Sequence, residues 1–182
     1  MRPEEQAREL LAAWRAGNRA AFDRLMERYE MRLMSYLIRI ADTRHEAEDL
    51  FQESFLRIFR ARESIPADVP FDFYIFRVAR NLAVSGFRRK RAERIGMERR
   101  GLEAPRAEDP PADALERSEA GSAAREALDT LPEPQREAVS LKVWGELSWR
   151  RIGELLGVSE DTAARRAADG LRTLAARLGG AL

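Results

Sequence analysis

Between residues 71 and 94 the sequence reads FDFYIFRVARNLAVSGFRRKRAER, with four aromatics in the first six positions and a crowd of Arg and Lys at the end. On a helix at about 100° per residue, Ile75, Val78, Ala79, Leu82, Ala83 and Gly86 fall on one side. Arg77, Arg80, Asn81, Val84, Ser85, Arg88 and Arg91 fall on the other. Residues 88–100, which include Arg88, Arg89 and Lys90, hold seven bases against two acids. Cations near a helix C-terminus complement the macrodipole at a few tenths to about 1 kcal/mol each, which accounts for two or three arginines. It does not account for so many on one face with Asn and Ser among them. Bases that displace counterions from phosphate, beside hydrogen-bonding Asn and Ser, make a nucleic-acid surface. The rings of Phe71, Phe73, Tyr74 and Phe76 read first as core. Beside a loop bracketed by prolines, one or two of them can also line a pocket for an unstacked base.

A second set of bases lies in LSWRRIGELLGVSEDTAARRAADGLRTL, residues 147–174. Ser148 caps a first helix whose Ile152, Leu155 and Leu156 point inward. Gly153 is small where a second helix passes, and Gly157 stops the first helix in the left-handed conformation. Val158 plugs the turn and Ser159 caps the second helix, with Ala163, Ala167, Gly170, Leu171 and Leu174 inward. This is helix-turn-helix form. Thr162, Arg165, Arg166 and Arg172 face a major groove, while Arg150 and Arg151 grip phosphate. A plain αα-hairpin is the alternative.

Acids gather elsewhere. Glu46, Asp49 and Glu53 share a helix face, with Glu48 and Gln52 beside them. Such a face complements the dipole at a helix start or is simply solvated; it can also dock on a basic protein surface. A metal site is not expected, since paired carboxylates here have no His companion or cleft. No nucleophile–base pair is present, so no catalytic residue, cofactor or small-molecule substrate is expected.

Charged residues make up 35% of the 182 positions, yet the net charge is +1, so nucleic-acid binding must rest on local separation of charge. The chain has no cysteine, which excludes disulfides and thiolate metal sites, and one histidine, His45, at an exposed helix start. No stretch approaches the roughly 20 apolar residues of a membrane span, and the start MRPEEQARELL lacks a signal peptide's apolar core. A reducing cytoplasm is the expected setting.

The elements that must position these residues are all helical. Leu10, Leu11 and Trp14 mark a helix over about 4–16; Gly17-Asn18 breaks it, and Asn18 caps the next. Phe22, Leu25, Met26, Tyr29, Leu33, Tyr36, Leu37 and Ile40 repeat at three-or-four spacing. Thr43 and Glu46 have capping-box form, and the helix they start buries Ala47, Leu50, Phe51, Phe55, Ile58 and Phe59. SIPADVP (64–70) is a loop. Residues 101–121 contain three prolines and six acids against two bases, which reads as a tether. The expected organisation is two small all-α domains, 1–96 and 122–182, joined by an acidic linker at 97–121.

The segments ADTRHEAEDLFQESFLRIF and FYIFRVARNLAVSGFRRKR together resemble region 2 of bacterial sigma factors of the extracytoplasmic-function group. LPEPQREAVSLKVWGELSWRRIGELLGVSEDTAARR is similar to region 4 of that family. The resemblance implies binding to core RNA polymerase and direction of it to promoter DNA. Glu46, Glu48, Asp49, Gln52 and Glu53 then correspond to the segment that docks on the β′ clamp helices, and region 4 is expected on the β flap. Phe71, Tyr74, Arg77, Arg80, Asn81, Arg88, Arg89 and Lys90 correspond to the part that reads and opens the −10 element. Arg150, Arg151, Ser159, Thr162, Arg165 and Arg166 correspond to the −35 reader. The acidic linker matches the tether that threads the polymerase's basic channel, where negative charge mimics RNA. An anti-sigma protein is a further partner the family allows. Several positions depart from the family's habit: Tyr74 stands where Trp is frequent, Gly153 where Ala is favoured, Ala163, Ala164, Arg165 and Arg166 where Val, Lys, Ser and Arg are common, and Asp169-Gly170 where an Arg-Ala pair follows.

Two other readings follow from the same residues. A stand-alone helix-turn-helix regulator would bind duplex DNA without polymerase. A sigma-like decoy would bind an anti-sigma protein rather than DNA.

Overall fold

A computed structural model describes residues 3–66, 68–99 and 126–179, and among them every regular element is a helix. Four helices form the N-terminal block: α1 (Pro3–Arg15), α2 (Arg19–Ile40), α3 (Arg44–Arg60) and α4 (Phe71–Arg99). Residues 126–129 are helical, and α5 (Glu133–Val143), α6 (Trp149–Leu156) and α7 (Glu160–Gly179) complete the C-terminal block. α4 runs on to Arg99, through the first three residues of the linker expected at 97–121; residues 100–125 lie outside the described residues.

Local chemistry sets the boundaries. Asn18 Oδ1 accepts from Ala21 N at 3.3 Å and starts α2. Thr43 Oγ1 accepts from Glu46 N at 3.1 Å, while Glu46 Oε2 accepts from Asp42 N at 3.1 Å, so the box that opens α3 closes one residue earlier than its usual form. Ile65, 2% exposed, pins the loop between α3 and α4 to the bundle.

The core of the N-terminal block is built from Trp14, Leu25, Leu33, Tyr36, Leu37, Ile58, Ile75 and Phe76, all under 2% exposed. Burying each such aliphatic or aromatic side chain contributes about 1.5–3 kcal/mol against an exposed reference. The periodicity misplaced one ring. Phe59 is 46% exposed: it meets Phe22 at 69° and Trp14 at 35°, with centroids 5.3 and 6.2 Å away, while the small Ser54 takes a fully buried position on α3. Leu171, expected inward on α7, is 44% exposed; the inner line there runs through Ala163, Ala167 and Gly170.

The two blocks pack together. α2 touches both α4 and α5. Leu141, Leu147, Ile152, Leu155 and Ala163 of the C-terminal block belong to the same buried cluster as Tyr36, Ile75 and Phe76.

Candidate nucleic-acid interface

On α4, Arg77, Asn81, Val84 and Arg88 stand at i, i+4, i+7 and i+11 and form one file along the helix. The Arg77 guanidinium lies over the rings of Phe73 and Tyr74, 5.6 and 5.2 Å from their centroids, which fixes a long side chain before any ligand arrives. Asn81, Arg88 and Arg89 are exposed; Arg89 has one loose neighbour, Glu93, at 3.9 Å. This file presents cations and an amide to solvent together.

Two of the expected cations are engaged instead. Arg80 lies on the flank of the file and binds Glu137 of α5 side-on, Nε to Oε1 at 2.6 Å and Nη2 to Oε2 at 3.3 Å. Burial works against its charge, and the Glu137 carboxylate outweighs that, so the guanidinium's pKa is raised. Lys90 bridges Asp42 at 3.2 Å and Glu46 at 2.8 Å. Partial burial works against the ammonium, and these two carboxylates raise its pKa on balance.

The ring residues are corrected more strongly. Phe71 is 4% and Tyr74 9% exposed; Phe71 packs on Tyr29 with centroids 5.5 Å apart. An aromatic that opens a helix beside an apolar bundle is drawn into the core, so neither ring offers a free stacking face here. Phe73 is the half-exposed ring of the four, and it lines an open cleft of about 880 Å³ with Asp68, Val69 and Pro70 of the preceding loop.

The helix-turn-helix forms as its residue types require. Ser148 Oγ accepts from Arg151 N at 3.4 Å and Ser159 Oγ from Thr162 N at 3.2 Å. Gly157 takes φ 66°, ψ 35°, the left-handed C-terminal stop. A methyl on Gly153 would stand 2.8 Å from Val158 O and 3.2 Å from Glu160 N, so the turn lies against bare backbone at this position. Arg165 is exposed and Thr162 and Arg166 are half-exposed on α7. Asp169 of α7 is held by Arg172. Arg150 is exposed and pairs with Glu154 at 3.1 Å. Arg151 is turned away from solvent and binds Asp72 at the start of α4.

On α3 the acids are largely paired along the helix: Glu48 with Arg44 at 2.9 Å, Asp49 with His45 at 3.6 Å, Glu53 with Arg57 at 2.7 Å. Glu46 is the cap residue bound by Lys90 and is turned inward, its side chain 16% exposed. Gln52 is exposed and continues at i+4 and i+7 into Leu56 and Phe59, 48% and 46% exposed. Sequence reasoning missed this apolar extension of the polar face; the spacing 52, 56, 59 was the signal.

Two family models match the chain: sigma-70 region 2 over residues 25–93 and sigma-70 region 4 over residues 122–174. The extracytoplasmic-function sigma factor SigM of Mycobacterium tuberculosis is 32% identical over 180 residues, covering 98% of this chain and 87% of that protein. SigW of Bacillus subtilis is 28% identical over 170 residues, covering 89% and 91%. SigE of Mycolicibacterium smegmatis is 32% identical over 154 residues, 82% of this chain but 60% of that longer protein. In fold, the chain is similar to the sigma factor RpoE of Bartonella quintana, solved with the anti-sigma factor NepR (TM-score 0.73, 21% identity, 87% and 96% covered). It is likewise similar to CnrH, solved with the cytosolic domain of CnrY (TM-score 0.68, 22% identity, 96% and 98% covered).

Proposed function

The chain belongs to the extracytoplasmic-function group of sigma-70 RNA polymerase factors, and from that premise we propose how its residues do the work of promoter-directed initiation. The chain binds core RNA polymerase and brings it to promoter DNA. The outward face of α3, with Glu48, Asp49, Gln52 and Glu53 running into Leu56 and Phe59, docks on the β′ clamp helices. The loop before α4 and the file of Arg77, Asn81, Arg88 and Arg89 hold the opened strand of the −10 element. α6 and α7 read the −35 element through Arg150, Thr162, Arg165 and Arg166, and region 4 also meets the β flap. The acidic segment 101–121 threads the polymerase's channel. Work of this kind is done in the cytoplasm, and an anti-sigma protein is a fitting partner, as NepR is for RpoE of Bartonella quintana.

The observation that carries this reading is the sorting of charge on neighbouring helices: an acidic and apolar face on α3, and a cationic file on α4 braced by the Phe73 and Tyr74 rings. Opening a base from the stack costs a few kcal/mol, and exposed Arg and Lys at phosphates, together with a captured base, offset it. Sequencing the transcripts made on genomic DNA by core polymerase with and without this chain tests the proposal. Start sites that share an upstream pair of motifs and depend on the chain are expected. Absence of any chain-dependent start would sink it.

A further inference from the structure

Four exposed residues, Asp161, Arg165, Ala168 and Arg172, stand at i, i+4, i+7 and i+11 of α7. They form the midline of its outward face, opposite the buried Ala163, Ala167 and Gly170. Thr162 and Arg166 lie on one flank and are half-exposed. Most of the polar groups expected to meet DNA here are engaged within the fold. The Ser159 and Thr162 hydroxyls stand 2.8 Å apart and share the cap of α7, where Ser159 Oγ also accepts from Thr162 N. Arg150 pairs with Glu154, and Arg151 with Asp72. Arg172, two turns beyond Arg165, is held by Asp169. Among the described residues, Arg165 and Arg166 have no acid partner, and of the two Arg165 is the exposed one.

We propose that Arg165 is the specificity-determining residue of the −35 contact and selects a guanine there, while Arg166 holds phosphate and carries no sequence information. The inference rests on the reading of α6 and α7 as the −35 reader. A helix seated in a major groove turns its midline to the base edges and its flanks to the backbones. Asp161 supports that placement. It stands one turn ahead of Arg165 on the same line, where a phosphate would repel its carboxylate and the amino groups on base edges would not. Ala168, one turn after Arg165, adds no length that would hold the helix off the groove floor. The guanidinium fork donates to O6 and N7 of guanine together, and no other base presents two acceptors on its major-groove edge. Ser, common in the family at this position, has no such fork, so the guanine requirement is this chain's own.

Duplexes with a fixed −10 element and a randomised −35 region test this. They are selected by the full chain with core polymerase and, in parallel, by the full chain alone, and the bound molecules are sequenced. One position is expected to require guanine. Arg165→Ser should reduce that preference by about 5- to 150-fold, the range for one bidentate base contact, and leave the other positions as they were. Arg166→Ser should weaken binding evenly across sequences and make it less salt-dependent, with every preference kept. Helix content is measured for each variant. Replacing the selected guanine by 7-deazaguanine removes N7 and leaves the protein unaltered. It should weaken binding by the wild-type chain and leave Arg165→Ser unaffected. A guanine preference that survives Arg165→Ser, that is lost in Arg166→Ser instead, or that never appears with the wild-type chain overturns the assignment, as does equal weakening of both chains by 7-deazaguanine. Chain-dependent transcription alongside any of those results leaves the sigma-factor reading standing. Transcription that never depends on the chain would sink that reading, while the bases selected by the chain alone still decide the role of Arg165.

Discussion

A methyl group on Gly170 would stand 2.9 Å from Val139 Cγ2, so α7 crosses α5 with no room for a side chain between them. The glycine that looks like a flaw in a recognition helix is the crossing point of the C-terminal block. Gln135 Cβ and Leu131 Cδ1, each 3.4 Å from the same point, close the remaining space.

Gly170→Ala sets two effects against each other. Helix propensity favours Ala by about 1 kcal/mol, while overpacking a stiff, buried valine costs typically 1–3 kcal/mol. The expected outcome is net destabilisation by about 1 kcal/mol in denaturant unfolding. Val139→Ala in the same chain should relieve the clash, so the two changes together cost less than their sum. Full additivity would show that the crossing is not tight.

How much of this was legible in sequence depends on reach. Asn18, Thr43, Ser148 and Ser159 act on backbone amides within three residues, and their caps form where the residue types imply. Gly157 needs only its own φ of 66°. The misreadings come where a distant partner decides. Arg80 belongs by spacing to the flank of a basic face, but its carboxylate lies 57 residues away, and nothing local announces it. Phe71 and Tyr74 have the right type for a stacking platform, and Tyr29 and the rest of the bundle absorb them. Phe59 fits the buried period of α3 by count, yet it stands at the rim, 46% exposed, while Ser54 on the same helix is fully buried.

The Tyr36 hydroxyl is fully buried and has no hydrogen-bond partner among the described residues. Burial first, and then the charge of Glu137, raise its pKa well above 10. In the unfolded chain the phenol ionises near pH 10, so the unfolded state loses a proton that the folded state keeps. The resulting stability is complete below pH 10 and is lost as pH rises above it. Tyr36→Phe should raise stability at neutral pH by about 1 kcal/mol, since a buried unpaired polar group costs about 1–3 kcal/mol. It should also flatten the alkaline fall. Unfolding curves from pH 7 to 11 that show the same slope for both proteins would contradict this.

The docking role of α3 makes a separable prediction. Glu53 and Leu56 are exposed enough that changing them disturbs little of the fold, because an exposed i,i+4 pair such as Glu53–Arg57 is worth about 0.3–0.5 kcal/mol. Glu53→Arg with Leu56→Ala should leave thermal unfolding within a few degrees of wild type and weaken binding to core polymerase at least about tenfold. Equal affinity, read by fluorescence anisotropy of the labelled chain, would place the docking surface elsewhere.

Strand opening tests the central claim most directly. Permanganate reactivity of thymines in the −10 element, probed with core polymerase and this chain, reports bases out of the stack. Reactive thymines are expected with the wild-type chain. Arg77→Glu with Arg88→Glu should abolish them while the variant still binds core polymerase. Reactivity that survives both charge reversals, or never appears with the wild-type chain, would contradict the account.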